Sequence, residues 1–390
     1  MPSPAAERYL RLGLQLGRHV DGLVDGYFGP PELAEAVHAA PPPDPAALVG
    51  AADDLLADLA DGWLRDQVVG VRTFATVLAG EQMSYADEVE GCYGVRPAYT
   101  DEAVFAAAHE RLDDLLPGHG RVAVRYRRWQ EAQRVPAAQV QQLVAAVVER
   151  ARSWTRELVE LPAEEGIELV AVHDVPWLAF TDYLGGLRSE VSVNVELPRT
   201  ALELLHLTVH ETYPGHHVER TMKEHVLVRG RGLLEETVVL VPTPQSLLTE
   251  GIAELAVAMV LDSDGGDALA AVLHDAGIPL DLGPARAVER AMEPCRWAEV
   301  NAALMRHEHG AGEAEVVSYL QRWGLAEPEL AAHLVRFLDE PSSRSYVVTY
   351  PAGRELCAAY VGDDPARFVR LLTEQVRVRD LVAAARDTSG

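Results

Sequence analysis

Helical periodicity is the feature that most constrains the fold of this chain. Apolar residues recur at three- and four-residue spacing with charged residues between them, most clearly in segments 45–63, 101–116, 136–159 and 284–307. Strand-like alternation is rare, and its clearest example is Glu190 to Leu197, where valines alternate with polar residues. Because 48% of the 390 residues are hydrophobic, the chain is able to bury a large core. We therefore predict a mainly α fold with a small β-sheet.

Two regions are distinguished by where the motifs lie. Residues 1–165 form an N-terminal helical region, and residues 166–390 contain the chemically distinctive motifs. The proline-rich stretch 41–45 interrupts the helical pattern, but the pattern resumes at once, so this stretch is a connection rather than a boundary. We expect the two regions to form one integrated domain.

Charge and cysteine content limit the partners and the compartment. The formal net charge of -26 is spread along the chain, which argues against binding to nucleic acid or to an anionic membrane. The three cysteines are far apart, so they indicate neither a disulfide framework nor a metal cluster. No apolar run approaches the about 18 residues of a membrane span, and no signal-peptide pattern is present. We expect a cytoplasmic protein without membrane partners; its oligomeric state stays open.

The motif His-Glu-Thr-Tyr-Pro-Gly-His-His at residues 210–217 carries the chemistry. In metallohydrolases with a His-Glu-x-x-His motif, two histidines one helical turn apart bind zinc, and the glutamate acts as general base on the attacking water. His210 and Glu211 match that pattern, but Pro214 occupies the position of the second histidine. Because proline cannot donate to the carbonyl of His210, the Pro-Gly pair must kink or bulge the helix.

The kink decides which later histidine joins His210. On an ideal helix His216 lies about 120° away from the face of His210, and His217 shares that face but lies about 10 Å further along the axis. If the kink loops out two residues, His216 becomes the second ligand; if it loops out three, His217 does. We prefer His216, which needs the smaller insertion, and keep His217 as the rival or as a catalytic residue that contacts substrate.

A catalytic zinc site needs a further protein ligand besides two imidazoles. Glu250 and Glu254 lie four residues apart at the start of the next strongly apolar helix, so they project from one face. We predict that Glu250 binds the metal and that Glu254 accepts the outer N–H of a ligating histidine. The expected cofactor is one Zn²⁺ ion, with another divalent metal as the alternative. Without a metal, both acids would be ordinary residues of a first helical turn.

Further polar residues are candidates for contacts with substrate. Tyr350, and after it Tyr346, would donate a hydrogen bond to an oxyanion or a leaving group. Arg344 would hold a substrate carboxylate. Alternatively, the two tyrosines form one helical face that packs into the core. The exposed edge of the strand 190–197 would pair with an extended peptide, which would place Asn194 and Arg188 beside the site.

At these residues the chain resembles the DUF885 family, whose His-Glu-x-x-Pro-Gly-His-His signature matches residues 210–217 at every fixed position. The Glu-Gly pair at Glu250 and the stretches 19–30, 85–95, 194–199 and 344–353 are also similar to that family. The resemblance implies a zincin-like, helical metallopeptidase fold that is distantly similar to carboxypeptidases of the M32 type. It also implies that the two histidines and Glu250 bind zinc and that Glu211 is the base.

The function that these observations favour is a zinc-dependent metallohydrolase. We expect it to hydrolyse a peptide or a related small amide, in the manner of a carboxypeptidase, by means of metal-activated water. One alternative is a zinc enzyme that acts on a non-peptide small molecule by amide hydrolysis or elimination. The other is a non-catalytic helical interaction protein in which the motif is a relic.

Overall fold

Helices make up most of the chain in the computed structural model, which describes residues 3–175 and 177–388. The mainly α fold class predicted from the periodicity is therefore confirmed. The α-helices of the described residues, labelled α1 to α19 in chain order, are Pro4–Leu16, Pro31–Ala39, Pro45–Asp58, Trp63–Leu78, Tyr85–Tyr93, Glu102–Leu115, Val122–Ala132, Ala137–Leu158, Ala201–Glu211, His216–Lys223, Pro244–Leu261, Asp264–Asp275, Leu282–Met292, Trp297–His307, Glu313–Trp323, Pro328–Asp339, Thr349–Val361, Pro365–Thr373 and Val378–Thr388.

Local sequence chemistry sets many of the helix boundaries. The side chain of Asp44 accepts a hydrogen bond from the backbone of Ala46, so α3 begins at Pro45, as the periodicity predicts. The predicted helix 284–307 is instead two helices, α13 and α14, separated by a 3₁₀ segment, Glu293–Arg296. Pro294 explains the interruption, because its ring and missing N–H do not fit a helix interior.

Two small sheets accompany the helices. Their strands, β1 to β5 in chain order, are Val24–Tyr27, Gly166–Val172, Ala179–Gly185, Arg188–Asn194 and Val238–Leu240. β1 pairs with β5, while β2, β4 and β3 form a sheet in that order, with β4 parallel to β2 and antiparallel to β3. The predicted strand is β4, which is shifted by a few residues from 190–197. Because β4 is the central strand, it has no exposed edge for a substrate, so that prediction is wrong.

The hydrophobic core draws on both regions of the chain. Buried apolar residues from Tyr9 to Leu381 form one large contiguous cluster. β1 and β5, which pair, come from the N-terminal and C-terminal regions respectively. All three cysteines are buried and free. Within the described residues, no helix combines the length and the apolar character that crossing a membrane requires.

Helices α11 and α17 pack closely in the core. A Cβ atom added to Gly251 would overlap the backbone of Gly353, and one added to Gly353 would overlap the carbonyl oxygen of Leu247. Only glycine allows two helix backbones to approach so closely. The contact matters for function because Glu250 lies on α11 and Tyr350 lies on α17.

Candidate metal centre

Helix α9 presents His210 and Glu211 at its C-terminal end. It begins with a capping box: the Thr200 hydroxyl accepts from the backbone N–H of Glu203, and the Glu203 carboxylate accepts from the N–H of Thr200. The helix therefore begins at Ala201. Both His210 and Glu211 are buried.

The Pro-Gly pair separates two helices rather than bulging a single one. After Glu211 the chain leaves the helix, passes through a cis Tyr213–Pro214 peptide bond and starts α10 at His216. Gly215 is packed so closely that an added Cβ atom would overlap the carbonyl oxygen of His210. This sharp reversal brings His216 back against His210, with ring centroids 4.6 Å apart and the ring planes nearly perpendicular.

His210, His216 and Glu250 converge on one point. Nε2 of His210 lies 3.4 Å from Oε2 of Glu250, and Nε2 of His216 lies 3.5 Å from Oε1 of the same carboxylate. One ligand atom from each of the three residues lies within 4.8 Å of the others. Oε2 of Glu250 is buried and has no hydrogen-bond partner among the described residues.

These distances suit a tetrahedral zinc site. Nitrogen and oxygen ligands about 2.0 Å from a zinc ion in tetrahedral geometry lie about 3.3 Å apart. The two separations, each to a different oxygen of Glu250, are close to that value. An unpartnered buried carboxylate oxygen is costly unless a cation or donor reaches it. The residues therefore fit a divalent metal with three protein ligands, which leaves one position for water or substrate.

Glu254 lies behind His210, on the side away from Glu250. Its Oε1 is 3.7 Å from Nδ1 of His210, near the predicted contact but longer than a hydrogen bond. Arg296 holds the carboxylate with two contacts of 2.5 and 2.7 Å. Burial would raise the pKa of Glu254, but Arg296 outweighs it and brings the pKa well below its usual range. An ionised Glu254 would favour the tautomer of His210 that directs Nε2 at the metal.

Glu211 faces the same cavity and is held by the sheet. The hydroxyl of Thr181 on β3 lies 2.7 Å from Oε2 of Glu211 and 2.9 Å from its carbonyl oxygen. A carboxylate fixed beside two candidate metal-binding histidines has the position that a general base requires.

The two predicted tyrosines reach the site in different ways. The hydroxyl of Tyr346 donates to Oε1 of Glu250 at 2.6 Å, so Tyr346 orients a candidate ligand. Tyr350 lines the cavity and packs edge-on against Tyr346, with ring centroids 5.6 Å apart. Burial and the nearby Glu250 raise the pKa of Tyr350 well above its usual value, which keeps the phenol protonated as a donor.

His217 points away from the cluster. Its side chain is fully buried, with Nδ1 2.8 Å from the Ser189 hydroxyl and Nε2 3.1 Å from Oε2 of Glu165. The hydroxyl of Tyr213 also donates to that oxygen of Glu165, at 2.6 Å. His217 therefore joins α10 to the core, which corrects the expectation that it binds metal or contacts substrate.

The three predicted substrate-binding residues outside the motif lie elsewhere. Arg344 forms an ion pair with Glu88 and does not line the cavity. Asn194 is buried at the end of β4, where it shapes the following turn through backbone hydrogen bonds. Arg188 is exposed on β4 and also does not line the cavity. For Asn194 and Arg188, sequence proximity to the motif does not determine which way the side chain points, and for Arg344 the distant partner Glu88 determines it.

The cavity beside the cluster has a volume of about 670 Å³. Sequence reasoning missed several of its residues. Arg220 follows His216 by four positions, so helical spacing would have placed it on the face of a candidate ligand. Thr181 carried no such signal, since only the packing of β3 against α9 brings it to Glu211. Residues that line the cavity are Gly22, Asp25, Trp177, Ala179, Phe180, Thr181, His210, Glu211, His216, Arg220, Val241, Ser246, Thr249, Glu250, Phe337, Ser342, Ser343, Tyr346 and Tyr350.

Comparisons with known proteins bear on the fold. No protein-family model matches the chain, and no curated protein matches it in sequence. Among solved structures, a candidate lipoprotein from Colwellia psychrerythraea is 15% identical with a TM-score of 0.50, and the match covers 92% of this chain and 59% of that protein. A candidate lipoprotein of unknown function from Shewanella oneidensis is 12% identical with a TM-score of 0.55, and the match covers 92% of this chain and 72% of that one. The chain thus spans about three-fifths of the Colwellia protein, and these likenesses show a shared fold alone.

Proposed function

We propose that the chain is a zinc-dependent metallohydrolase of the His-Glu-x-x-Pro-Gly-His-His type, with a zincin-like arrangement of its site. The observation that carries the proposal is the convergence of His210, His216 and Glu250 at separations that suit zinc, with Glu211 held beside them. Three amino-acid ligands and a neighbouring carboxylate base are the minimum set for hydrolysis by activated water.

Each protein group would have a separate task. When bound, zinc lowers the pKa of a coordinated water to about 7 and polarises a carbonyl oxygen. Glu211 would accept the proton of the attacking water at a carboxylate oxygen and later pass it to the leaving amine. Tyr350 would donate its hydroxyl proton as a hydrogen bond to the oxyanion, while Tyr346 keeps Glu250 oriented.

The cavity supports a small peptide or amide as substrate. Its volume lies within the about 300–1,000 Å³ that is usual for small-molecule sites. Trp177 and Phe180 line it with apolar surface, and their ring centroids are 6.2 Å apart. β3, which contributes Phe180 and Thr181, is an edge strand of its sheet and is available to pair with an extended substrate.

Metal analysis of the purified protein tests the centre directly. We expect near-stoichiometric zinc in the wild type and loss of zinc in H216A, because a catalytic zinc site needs three protein ligands and only two would remain. His119 is exposed, so H119A is the matched control and should retain zinc.

A panel of dipeptides and blocked peptides then tests the reaction. We expect zinc-dependent hydrolysis of at least one small peptide. Stoichiometric zinc without peptide turnover would favour an enzyme that acts on another small molecule. A wild-type protein that binds no divalent metal would contradict the proposal.

A further inference from the structure

Arg220 is a buried cation in the wall of the candidate active site. It lines the same cavity as the metal cluster, and only 7% of the residue is exposed. It follows His216 by four residues on α10, so both side chains lie on one face of the helix, about 6 Å apart along its axis. His216 and Arg220 therefore face the same cavity from adjacent turns of α10.

The guanidinium of Arg220 makes no hydrogen bond to any other described residue. Its Nε lies 3.4 Å from Oε2 of Glu219 without hydrogen-bond geometry, and its Nη2 lies 4.0 Å from Oδ2 of Asp25. By contrast, the guanidinium of Arg344 is held by the carboxylate of Glu88. A guanidinium offers five donors, and those of Arg220 that face the cavity are available to an acceptor there.

The neighbouring acids do not satisfy the hydrogen-bond donors of Arg220. Glu219 is shared with a second cation, since Nζ of Lys223 lies 2.5 Å from its Oε1, and Thr249 donates to the same oxygen. Burial would raise the pKa of Glu219, but Arg220 and Lys223 outweigh it and lower the pKa to about 2. Asp25 is 39% exposed and therefore partly solvated. Neither acid therefore satisfies the donors of Arg220, which remain open to an acceptor in the cavity, while the two acids disfavour a dianion such as phosphate.

We infer that Arg220 binds a carboxylate of the substrate, next to the bond that is hydrolysed. This inference rests on the proposed function and names its substrate class: peptides or N-acyl amino acids with a free C-terminal carboxylate. Arginine pairs with a carboxylate through two parallel hydrogen bonds. Arg220 is about one helical turn from His216, so the substrate carboxylate would lie close to the scissile carbonyl. We therefore place the carboxylate on the amino acid whose amine is released.

Binding of a matched pair of probes tests the inference without depending on turnover. The probes are N-acetyl-phenylalanine and its primary amide, whose ring suits the apolar wall at Trp177 and Phe180. The zinc-loaded E211Q variant is used, because it lacks the proposed base. By titration calorimetry, we expect the free acid to bind about tenfold or more tightly than the amide.

Variants of Arg220 in the E211Q background test whether the preference for the free acid over the amide depends on this residue. We expect R220Q to weaken binding of the free acid to the level of the amide and to leave the amide unchanged. R220K, which keeps the charge but loses the paired geometry, should retain part of the preference and serves if R220Q does not fold. R188Q is the matched control, since Arg188 is exposed and outside the cavity, and should retain the full preference.

Three results would overturn the inference: equal binding of acid and amide in E211Q, an acid preference that survives in R220Q, or inorganic phosphate that binds more tightly than the acid. These results are distinguishable from failure of the proposed function. An Arg220-dependent acid preference in a protein whose wild type hydrolyses nothing would keep the carboxylate site and remove only the hydrolase.

Discussion

At the scale of single residues, the two glutamates of the candidate centre differ in the groups that their carboxylates contact. Glu250 faces two imidazoles and one phenol, and one of its oxygens has no hydrogen-bond partner in the described structure. Among the described residues, the Glu211 side chain accepts a hydrogen bond from the Thr181 hydroxyl at Oε2, so its other carboxylate oxygen is available to a water molecule. That difference supports the proposed roles of Glu250 as a metal ligand and Glu211 as the base, although both are buried glutamates.

Replacing Glu211 by glutamine tests the division of roles. The amide keeps the shape of the carboxylate but cannot accept the proton of water, so we expect E211Q to retain zinc and to lose about 10²- to 10⁴-fold in kcat. Metal content and hydrolysis are measured on the same sample. Glu164 is exposed, and E164Q is the control that should change neither quantity. Full activity of E211Q would remove Glu211 as the base.

At the scale of secondary-structure elements, close helix packing positions Glu250, the candidate metal ligand. α11 carries Glu250 and touches α17 through Gly251 and Gly353, so the position of the carboxylate depends on a contact between two backbones. Gly215 likewise allows the close approach of α9 and α10, because a side chain at this position would collide with the backbone of His210. Three glycines thus hold the elements at the distances that the cluster requires.

A methyl group at Gly251 is expected to separate α11 from α17. Overpacking of this kind costs about 1–3 kcal/mol in the free energy of unfolding, and the displaced Glu250 should weaken zinc binding as well. The control is G50A in α3, where nothing lies within 4 Å of the added atom. G50A should leave stability equal or raise it by up to about 1 kcal/mol. Denaturant unfolding and zinc titration measure both effects, and unchanged stability of G251A would contradict this account.

At the scale of the whole molecule, the two regions of the chain are joined by a buried polar network. Glu165 ends the N-terminal region and accepts hydrogen bonds from Arg152 of α8 and from Tyr213, and it contacts His217. The network links α8 to the chain reversal that brings His216 against His210 in the candidate metal centre. Burial would raise the pKa of Glu165, but the contacts with His217, Tyr213 and Arg152 outweigh it and lower the pKa to about 2.

This network predicts how stability depends on pH. A carboxylate whose pKa falls from its usual 4.5 to about 2 on folding stabilises the protein above about pH 4.5, and this stabilisation of roughly 3 kcal/mol is lost as the pH falls toward 2. We expect E165Q to be less stable near neutral pH and to lose less stability than the wild type as the pH drops below 4.5. E164Q, which replaces the exposed residue next to Glu165, should show the same pH dependence of stability as the wild type. Urea unfolding at several pH values measures this, and parallel curves for E165Q and wild type would contradict it.

The sequence by itself determined the helical fold class, because the spacing of apolar residues reports directly on the period of the backbone. It also singled out His210, His216 and Glu250, whose side chains lie close together in the structure, since the Pro-Gly break and the i,i+4 acids are local features. It did not determine where β4 lies in its sheet, or that Arg344 is paired with Glu88 while Arg220 faces the cavity. Those outcomes depend on contacts between residues far apart in the chain, and the orientation of a polar side chain is set by which distant partner satisfies it. Only the tertiary structure could decide them.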